Sequence, residues 1–267
     1  KHITSEDRFI VGIWGDGGVG KTTIVKAMYD KIGSKFDGKS FLTNIKDVWD
    51  NRNGGVLKRQ LISDIFKVEI DEEDVLEIHE QMMKVLHGKR VLVVLDNVNS
   101  EFQLMELCGN IWWFGRGSLI FITARNKDIL KNFVDVQYEM KRLDSDESIK
   151  LFSWHAFERS APTDDFEYLS NKIISFCEGL PLLLEVIGCL LHNKTLPEWQ
   201  GVLLQLDQAS YGQIQRKLYI GVEFLTDLEK DLFFDIACFY VGLSKSYVTR
   251  LLKGSRFPME EAMSVIF

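Results

Sequence analysis

A glycine-rich stretch at residues 15–22 constrains the fold of this 267-residue chain more than any other feature. It reads Gly-Asp-Gly-Gly-Val-Gly-Lys-Thr and fits the spacing Gly-x4-Gly-Lys-[Ser/Thr]. The apolar run Phe9–Trp14 before it predicts a buried strand, and the apolar spacing over Lys21–Ile32 after it predicts a helix. Because glycine permits a tight turn, successive backbone N–H groups can point at one cluster of phosphate oxygens. The pattern therefore predicts a strand, a phosphate-binding loop and a helix, which together begin an α/β domain.

Side chains of this loop are predicted to contact phosphates as well. Lys21 would place a mobile positive charge beside the β- and γ-phosphates of a nucleotide, and Thr22 would offer its hydroxyl to Mg²⁺. The N-terminus of the helix that begins here adds its dipole. The predicted nucleotide-binding residues of the loop are Gly15, Gly17, Gly18, Val19, Gly20, Lys21, Thr22 and Thr23.

Strand and helix patterns alternate over residues 9–140, which predicts a parallel sheet covered on both faces. Apolar runs predict further strands at Ser40–Ile45, Val91–Leu95, Ser118–Thr123 and Val136–Met140. Helical spacing predicts helices at Val56–Phe66 and Val75–Leu86.

After residue 140 the strand patterns stop, and residues 141–267 are predicted to be helical in two groups divided near Ser210. The segment from Asp144 to Glu147 has the spacing of a capping box. A helix is predicted over residues 165–177, and Pro181 suits the first turn of the next helix.

Two polar residues follow predicted strands. Asp96 ends the Val91–Leu95 strand and is predicted to hold Mg²⁺ together with Thr22; a turn former or helix cap is the alternative. Arg125 follows the Ser118–Thr123 strand at the edge that faces the ligand in an open parallel sheet; a surface arginine is the alternative. Asp96 and Arg125 are the candidate catalytic residues.

The base is predicted to be adenine. Guanine readers usually carry Asn-Lys-x-Asp, and in the segment from Asn126 to Ile129 the aspartate comes one place early. They also carry Asp-x-x-Gly, and the segment from Asp96 to Asn99 lacks the glycine. The predicted cofactors are therefore ADP or ATP, with Mg²⁺.

Composition excludes several other functions. The net charge of −7 disfavours nucleic acid and an anionic membrane surface. The longest apolar run, at residues 180–191, is too short to span a bilayer, which needs about 20 residues. Four scattered cysteines without Cys-x-x-Cys predict buried thiols in a reducing cytoplasm, with the nucleus as the alternative location. The chain opens without Met and stops inside a predicted helix, so we expect a segment of a longer protein.

Seven segments of the chain occur in an order typical of one family. They are GIWGDGGVGKTT, FDGKSFLTNI, RVLVVLDNVN, GSLIFITARN, YEMKRLDSDESIKLFSWHAF, CEGLPLLLEVIG and LFFDIACFYVG. This order resembles the NB-ARC module of plant nucleotide-binding leucine-rich-repeat immune receptors. Asn99 at the end of the third segment resembles the subclass with an N-terminal Toll/interleukin-receptor-like domain.

The resemblance implies a three-part switch. A P-loop nucleotide-binding domain at residues 1–140, with strand order 5-1-4-3-2, would lead to a helical bundle at 141–209 and a partial winged helix at 210–267. Pro181 would approach the adenine, and Arg125 would sense the γ-phosphate. ADP would hold the module closed, whereas ATP would open it and drive self-oligomerisation. The partners implied are an N-terminal signalling domain and C-terminal repeats of the same receptor.

Departures from the family pattern bear on hydrolysis. Asn97 stands where the family usually has a second aspartate, Leu119 replaces an arginine and Ala124 replaces a threonine. The family's Met-His-Asp motif would lie beyond Phe267. These departures predict a slow ATPase at most. The rival functions are a P-loop ATPase or kinase with real turnover, and an ATP-dependent transcription regulator that reads DNA with the helices after Gly212.

Overall fold

The computed structural model describes residues 8–52, 54–68, 88–109, 113–208 and 250. The chain divides into two compact units, Lys1–Lys141 and Arg142–Phe267. The predicted helix Val75–Leu86 and, apart from residue 250, the predicted winged helix lie outside the described residues.

The first unit is built on a parallel five-stranded sheet. Its order is β2-β3-β4-β1-β5, which confirms the strand order that the resemblance implies. The strands are β1 (Phe9–Trp14), β2 (Gly38–Leu42), β3 (Val91–Val98), β4 (Leu119–Ala124) and β5 (Val136–Glu139).

Helices cover both faces of this sheet, as the alternating pattern predicts. The described helices are α1 (Lys21–Ile32), α2 (Ile45–Arg52), α3 (Gly55–Phe66) and α4 (Glu101–Cys108). Val25 of α1 packs with Leu92 and Val94 on one face of the sheet. Leu61 of α3 and Leu104 of α4 belong to the core on the other face. Alternate residues of β3 therefore point into two different cores, as the strand geometry requires.

Several predicted boundaries were wrong. The second strand is Gly38–Leu42, because fully buried Ile45 begins α2 and does not end the strand. The strand predicted at Ser118–Thr123 shifts by one residue to Leu119–Ala124, and the strand predicted at Val136–Met140 ends one residue earlier, at Glu139.

The third strand differs more, since β3 continues through Asp96 and Asn97 to Val98. Its register with β4 pairs Leu95 with Ile122 and Val98 with Ala124, and it shifts between them. Asp96 and Asn97 thus oppose the single residue Thr123, which is the arrangement of a β-bulge. Asn97 takes the left-handed conformation, with φ 61°. The inserted residue returns Val98 to the same core as Leu95.

The second unit is helical in its described part. Its helices are α5 (Ser145–Phe157), α6 (Glu167–Cys177), α7 (Pro181–Leu191) and α8 (Leu196–Gln208). The capping box is confirmed: the Glu147 N–H donates to Asp144 Oδ1 (2.9 Å), and the Asp144 N–H donates to Glu147 Oε2 (3.1 Å). Pro181 occupies the first turn of α7 as predicted. The helix predicted from residue 165 begins later, after a 3-10 turn at Asp164–Phe166.

A buried aromatic cluster packs between α5 and α8 in the described part of the second unit. Phe152, Phe157 and Phe166 each contact the ring of Trp199, with centroid separations of 5.9, 5.3 and 4.8 Å. Trp199 is 1% exposed, and its indole Nε1–H donates to Leu191 O at 3.2 Å, so the buried polar group is satisfied.

Among the three cysteines that the structure describes, exposure differs from the prediction at one; Cys238 lies outside the described residues. Cys108 and Cys177 are buried, whereas Cys189 on α7 is exposed. Burial raises the pKa of the Cys108 thiol to about 12, so this thiol stays protonated and unreactive at neutral pH. Within the described ranges, no helix has both the length and the apolar character that crossing a membrane requires.

Candidate nucleotide-binding site

The predicted site residues of the first unit gather at one edge of its sheet. The glycine-rich loop follows β1, Asp96 lies near the end of β3, and Arg125 directly follows β4. Because β1, β3 and β4 are parallel, their carboxyl ends meet at this edge, where open α/β sheets bind their ligands.

At three positions the loop backbone has a positive φ that glycine adopts most readily: Gly15, Gly18 (φ 78°) and Gly20. Gly15 has φ 149°, and a Cβ atom there would lie 2.8 Å from the Met140 carbonyl oxygen. Gly20 is the N-cap of α1 and has φ 95°. Side chains at these positions would force the loop to move away from β5 and would misplace the start of α1.

The N-terminus of α1 is open. No side chain caps it, and its first turn contains no acidic residue. The Ile24 N–H donates to Gly20 O at 3.0 Å, which is the first i to i−4 bond of α1. The backbone N–H groups of the residues just before Ile24 precede this bond, so the helix itself offers them no i−4 partner. Unsatisfied N–H groups and the helix dipole favour an anion at this end. Val19, which is 1% exposed, anchors the loop in the core below.

Lys21 is folded across the loop. Its ammonium Nζ donates to the carbonyl oxygens of Gly15 (2.8 Å) and Asp16 (2.7 Å). Burial lowers the pKa of Lys21 and the charge of Arg125 lowers it further, whereas Asp96 and Asp16 act in the opposite direction. The protonated ammonium is therefore held where its charge is poorly solvated, and an anion at the loop would stabilise it.

Asp96 is 3% exposed and accepts two hydrogen bonds on one oxygen. The hydroxyls of Thr22 (2.8 Å) and Thr123 (2.6 Å) both donate to its Oδ1. The structure thus brings together Thr22 and Asp96, the two predicted metal ligands. Hydroxyl and carboxylate oxygens are the hard ligands that Mg²⁺ prefers, so this pair fits the ion.

No larger cluster of metal-binding side chains accompanies this pair. Groups of three or more His, Cys, Asp or Glu suited to a metal are absent from the part of the chain that the structure describes.

Arg125 lies against the loop. A Cβ atom on Gly17 would be 3.4 Å from the Arg125 Cζ atom and 3.6 Å from one of its terminal nitrogens. The guanidinium is exposed, and it adds a second positive charge beside Lys21. The remaining predicted site residue, Pro181, lies in the second unit at the start of α7.

Comparison with known proteins decides the family. The sequence model of the NB-ARC domain matches residues 1–162. The chain belongs to the NB-ARC domain family.

Curated relatives of this NB-ARC chain include plant disease resistance proteins. It is 38% identical to RUN1 and to RPV1, both from Vitis rotundifolia, over 97% and 98% of its own length and 20% and 19% of theirs. It is 37% identical to the TMV resistance protein N of Nicotiana glutinosa, over 96% of its length and 23% of that protein. The chain therefore spans about a fifth of the length of these relatives.

A solved structure supports the fold of the NB-ARC chain. It is a Signal Transduction ATPase with Numerous Domains, with a tetratricopeptide repeat sensor, from Pyrococcus horikoshii. The TM-score is 0.51 at 17% identity, over 97% of this chain and 36% of that one. At this identity the likeness shows the fold alone.

One residue of the NB-ARC site is absent from the sequence prediction. The sequence predicts Thr123 only as the last residue of an apolar strand, whereas in the structure its hydroxyl donates a hydrogen bond to Asp96. A signal was available: it is a polar residue at the carboxyl end of a strand that is otherwise apolar. Its partner could not be read locally, because the pairing depends on the neighbouring strand.

Proposed function

We propose that this chain is the ADP- and ATP-dependent switch module of a plant disease-resistance receptor. The convergence of positive charge on the glycine-rich loop carries this proposal. Lys21 and Arg125 both lie at the loop, beside an uncapped helix N-terminus. Asp16 and Asp96 balance part of this positive charge, but the two cations and the helix N-terminus still favour an anion at the loop, and the Thr22–Asp96 pair beside it suits a metal-bound phosphate.

Each predicted site residue has a place in this proposal. Backbone amides of the loop, from Gly15 to Thr23, hold the phosphates, and Lys21 supplies charge to them. Thr22 and Asp96 hold Mg²⁺. Arg125 senses the γ-phosphate, and Pro181 contacts the adenine.

The module acts as a switch more than as an enzyme. Asn97 replaces the second carboxylate and lies in a bulge, where its backbone N–H donates to Thr123 Oγ1 at 2.9 Å. Without a carboxylate at this position, hydrolysis is slow and the bound nucleotide persists. ADP keeps the module closed, and ATP opens it for self-oligomerisation.

The rest of the receptor supplies the input and the output. The chain covers only about a fifth of its disease-resistance relatives, which leaves room for a signalling domain and for sensing repeats. We place the receptor in the cytoplasm, with the nucleus as the alternative, and the thiols of Cys108 and Cys189, which form no disulfide, suit a reducing compartment.

Identification of the nucleotide that copurifies with the chain tests the proposal. The chain is purified without added nucleotide and denatured, and the released small molecules are separated by chromatography and weighed by mass spectrometry. We expect ADP or ATP from the wild-type chain and from Lys26→Met, which removes an exposed charge farther along α1. A guanine nucleotide, or failure to bind any added adenine nucleotide, would contradict the proposal.

A further inference from the structure

A chain of hydrogen bonds links α1, β3 and β4 at the site. The Asn97 backbone N–H donates to Thr123 Oγ1 at 2.9 Å, and the Thr123 hydroxyl donates to Asp96 Oδ1 at 2.6 Å. The Thr22 hydroxyl donates to the same Asp96 oxygen at 2.8 Å. Thr123 is 1% exposed, and its bond to Asp96 is buried.

The direction of each bond is fixed by the atoms available. A hydroxyl carries one hydrogen and can accept through its lone pairs. Because Thr123 Oγ1 accepts the amide hydrogen of Asn97, its own hydrogen is left to donate to the Asp96 carboxylate. Bonds to an ionised acceptor are shorter and stronger than neutral ones, and the 2.6 Å separation agrees with this.

The β-bulge makes this arrangement possible. In a regular ladder one residue of β3 would face Thr123, but here Asp96 and Asn97 both oppose it. Thr123 can therefore contact the side chain of one residue and the backbone of the next. Bulges commonly redirect a side chain near a functional site in this way.

We propose that Thr123 is a positioning residue that holds the Asp96 carboxylate in the orientation required for Mg²⁺–nucleotide binding. It acts through Asp96 and does not itself touch the ligand. This inference rests on the proposed function, because it presumes that Asp96 serves a bound Mg²⁺–nucleotide. Partners that orient a metal ligand commonly contribute 10- to 100-fold to metal affinity.

The alternative is that Thr123 only joins two strands, and the chain offers a matched control for it. Ser118 is also 1% exposed, and it also connects the segments of β3 and β4. Its Oγ accepts the Val91 N–H at 3.0 Å and donates to Lys89 O at 3.3 Å. Ser118 lies at the other end of these strands and contacts no carboxylate through these bonds.

The test measures ADP affinity by calorimetry in saturating Mg²⁺ and again in excess chelator. We call the ADP affinity in Mg²⁺ divided by the ADP affinity in chelator the Mg²⁺ factor. It measures how much the metal site contributes to ADP binding. We expect Thr123→Val to lower this factor by about 10-fold or more, with ADP affinity in chelator within about twofold of wild type. Thr123→Ser keeps the hydroxyl and should keep the Mg²⁺ factor. Ser118→Ala should lower the melting temperature and leave the factor unchanged.

Two outcomes would overturn the inference: an unchanged Mg²⁺ factor in Thr123→Val, or an equal loss in Ser118→Ala. If Thr123→Val does not fold, Thr123→Cys replaces it, because a thiol is a weak donor. We then expect a loss between those of Ser and Val, and an unchanged factor overturns the inference. A wild-type chain that binds no ADP contradicts the proposed function itself, whereas Mg²⁺-dependent ADP binding that survives Thr123→Val contradicts only the role of Thr123.

Discussion

Asn97 has a backbone role that is independent of any chemistry. Its φ of 61° is a conformation that asparagine tolerates better than most residues, since its short polar side chain lowers the cost. Its N–H contributes to the bulge by donating to Thr123. Asn97 therefore serves the turn, and under the proposed function it also occupies the position where a carboxylate would activate water.

Asn97→Asp separates these two roles. Aspartate tolerates the same backbone, so the bulge should persist. A carboxylate can align water and accept its proton, which an amide cannot do usefully, and such help is typically worth 10²–10⁴ in rate. Because phosphoryl transfer depends strongly on positioning, we expect the low end. Single-turnover ATP hydrolysis should rise by at least about tenfold, a barrier change of about 1.4 kcal/mol.

Asn97→Gly is the control for this experiment, because it keeps the left-handed turn and adds no carboxylate. Its hydrolysis rate should match that of the wild type. If Asn97→Asp binds Mg²⁺·ATP without a faster rate, Asn97 only shapes the bulge. Slow turnover must then be explained by Leu119 and Ala124.

Between elements, a close contact joins the start of the second unit to the turn before α7. The Leu143 N–H donates to Gly179 O at 2.8 Å, and Arg142 pairs with Glu178 at 2.8 Å. The ion pair is partly exposed and contributes little. Gly179 matters more, because it has φ 70° and a Cβ atom there would lie 2.2 Å from Leu143 O.

Gly179→Ala should therefore destabilise the second unit. A left-handed conformation costs an alanine about 1–2 kcal/mol, and the clash with the Leu143 carbonyl adds to this. Gly201→Ala is the matched control, because it lies inside α8 and its Cβ would meet nothing within 4 Å. Alanine there should stabilise the helix by about 0.5–1 kcal/mol.

Urea unfolding followed by circular dichroism would compare both variants with the wild type. We expect a lower midpoint for Gly179→Ala and a higher one for Gly201→Ala. Equal midpoints for the two variants would show that the tight contact at Gly179 does not contribute to the free energy of unfolding.

Elements defined by local patterns could be predicted from the sequence, and elements that depend on distant partners could not. The glycine loop, the strands beside it and the capping box at Asp144 each rest on short-range signals. Helix α4 also has a short-range signal, because Ser100 is its N-cap and accepts the Gln103 N–H at 3.3 Å. The sequence analysis did not predict this helix. The end of β3 was missed for a different reason, because the bulge exists only through pairing with Thr123.

The same distinction holds for the site. Lys21 and Thr22 belong to the glycine-rich motif, and Asp96 follows an apolar strand pattern, so their roles could be predicted from residue type and position. Thr123 joins them only after the sheet has formed, since β3 and β4 are far apart in the chain. Sequence patterns therefore predicted the candidate ligand-binding groups, and the structure was needed to find the Thr123 hydroxyl that donates to one of them.

For the whole molecule, we expect nucleotide binding to raise the free energy of unfolding. A ligand that binds only the native state stabilises it by mass action, by about 2.7 kcal/mol at a concentration 100 times its Kd. The glycine-rich loop, Asp96 and Arg125 all belong to the first unit, so bound nucleotide should stabilise at least that unit. The binding that we propose depends on Lys21, whose positive charge would stabilise the phosphates of an adenine nucleotide at this loop.

The most direct measurement is a calorimetric titration of the nucleotide-free chain with ADP and Mg²⁺, for the wild type, Lys21→Met and Lys26→Met. Methionine keeps most of the buried stem of Lys21 and removes only its charge and hydrogen bonds. Losing a charge-assisted contact costs about 1.5–3 kcal/mol, so Lys21→Met should bind ADP roughly 10- to 100-fold more weakly. Lys26→Met, exposed on the same helix, should bind like the wild type. Equal ADP affinity in the wild type and Lys21→Met would contradict the account.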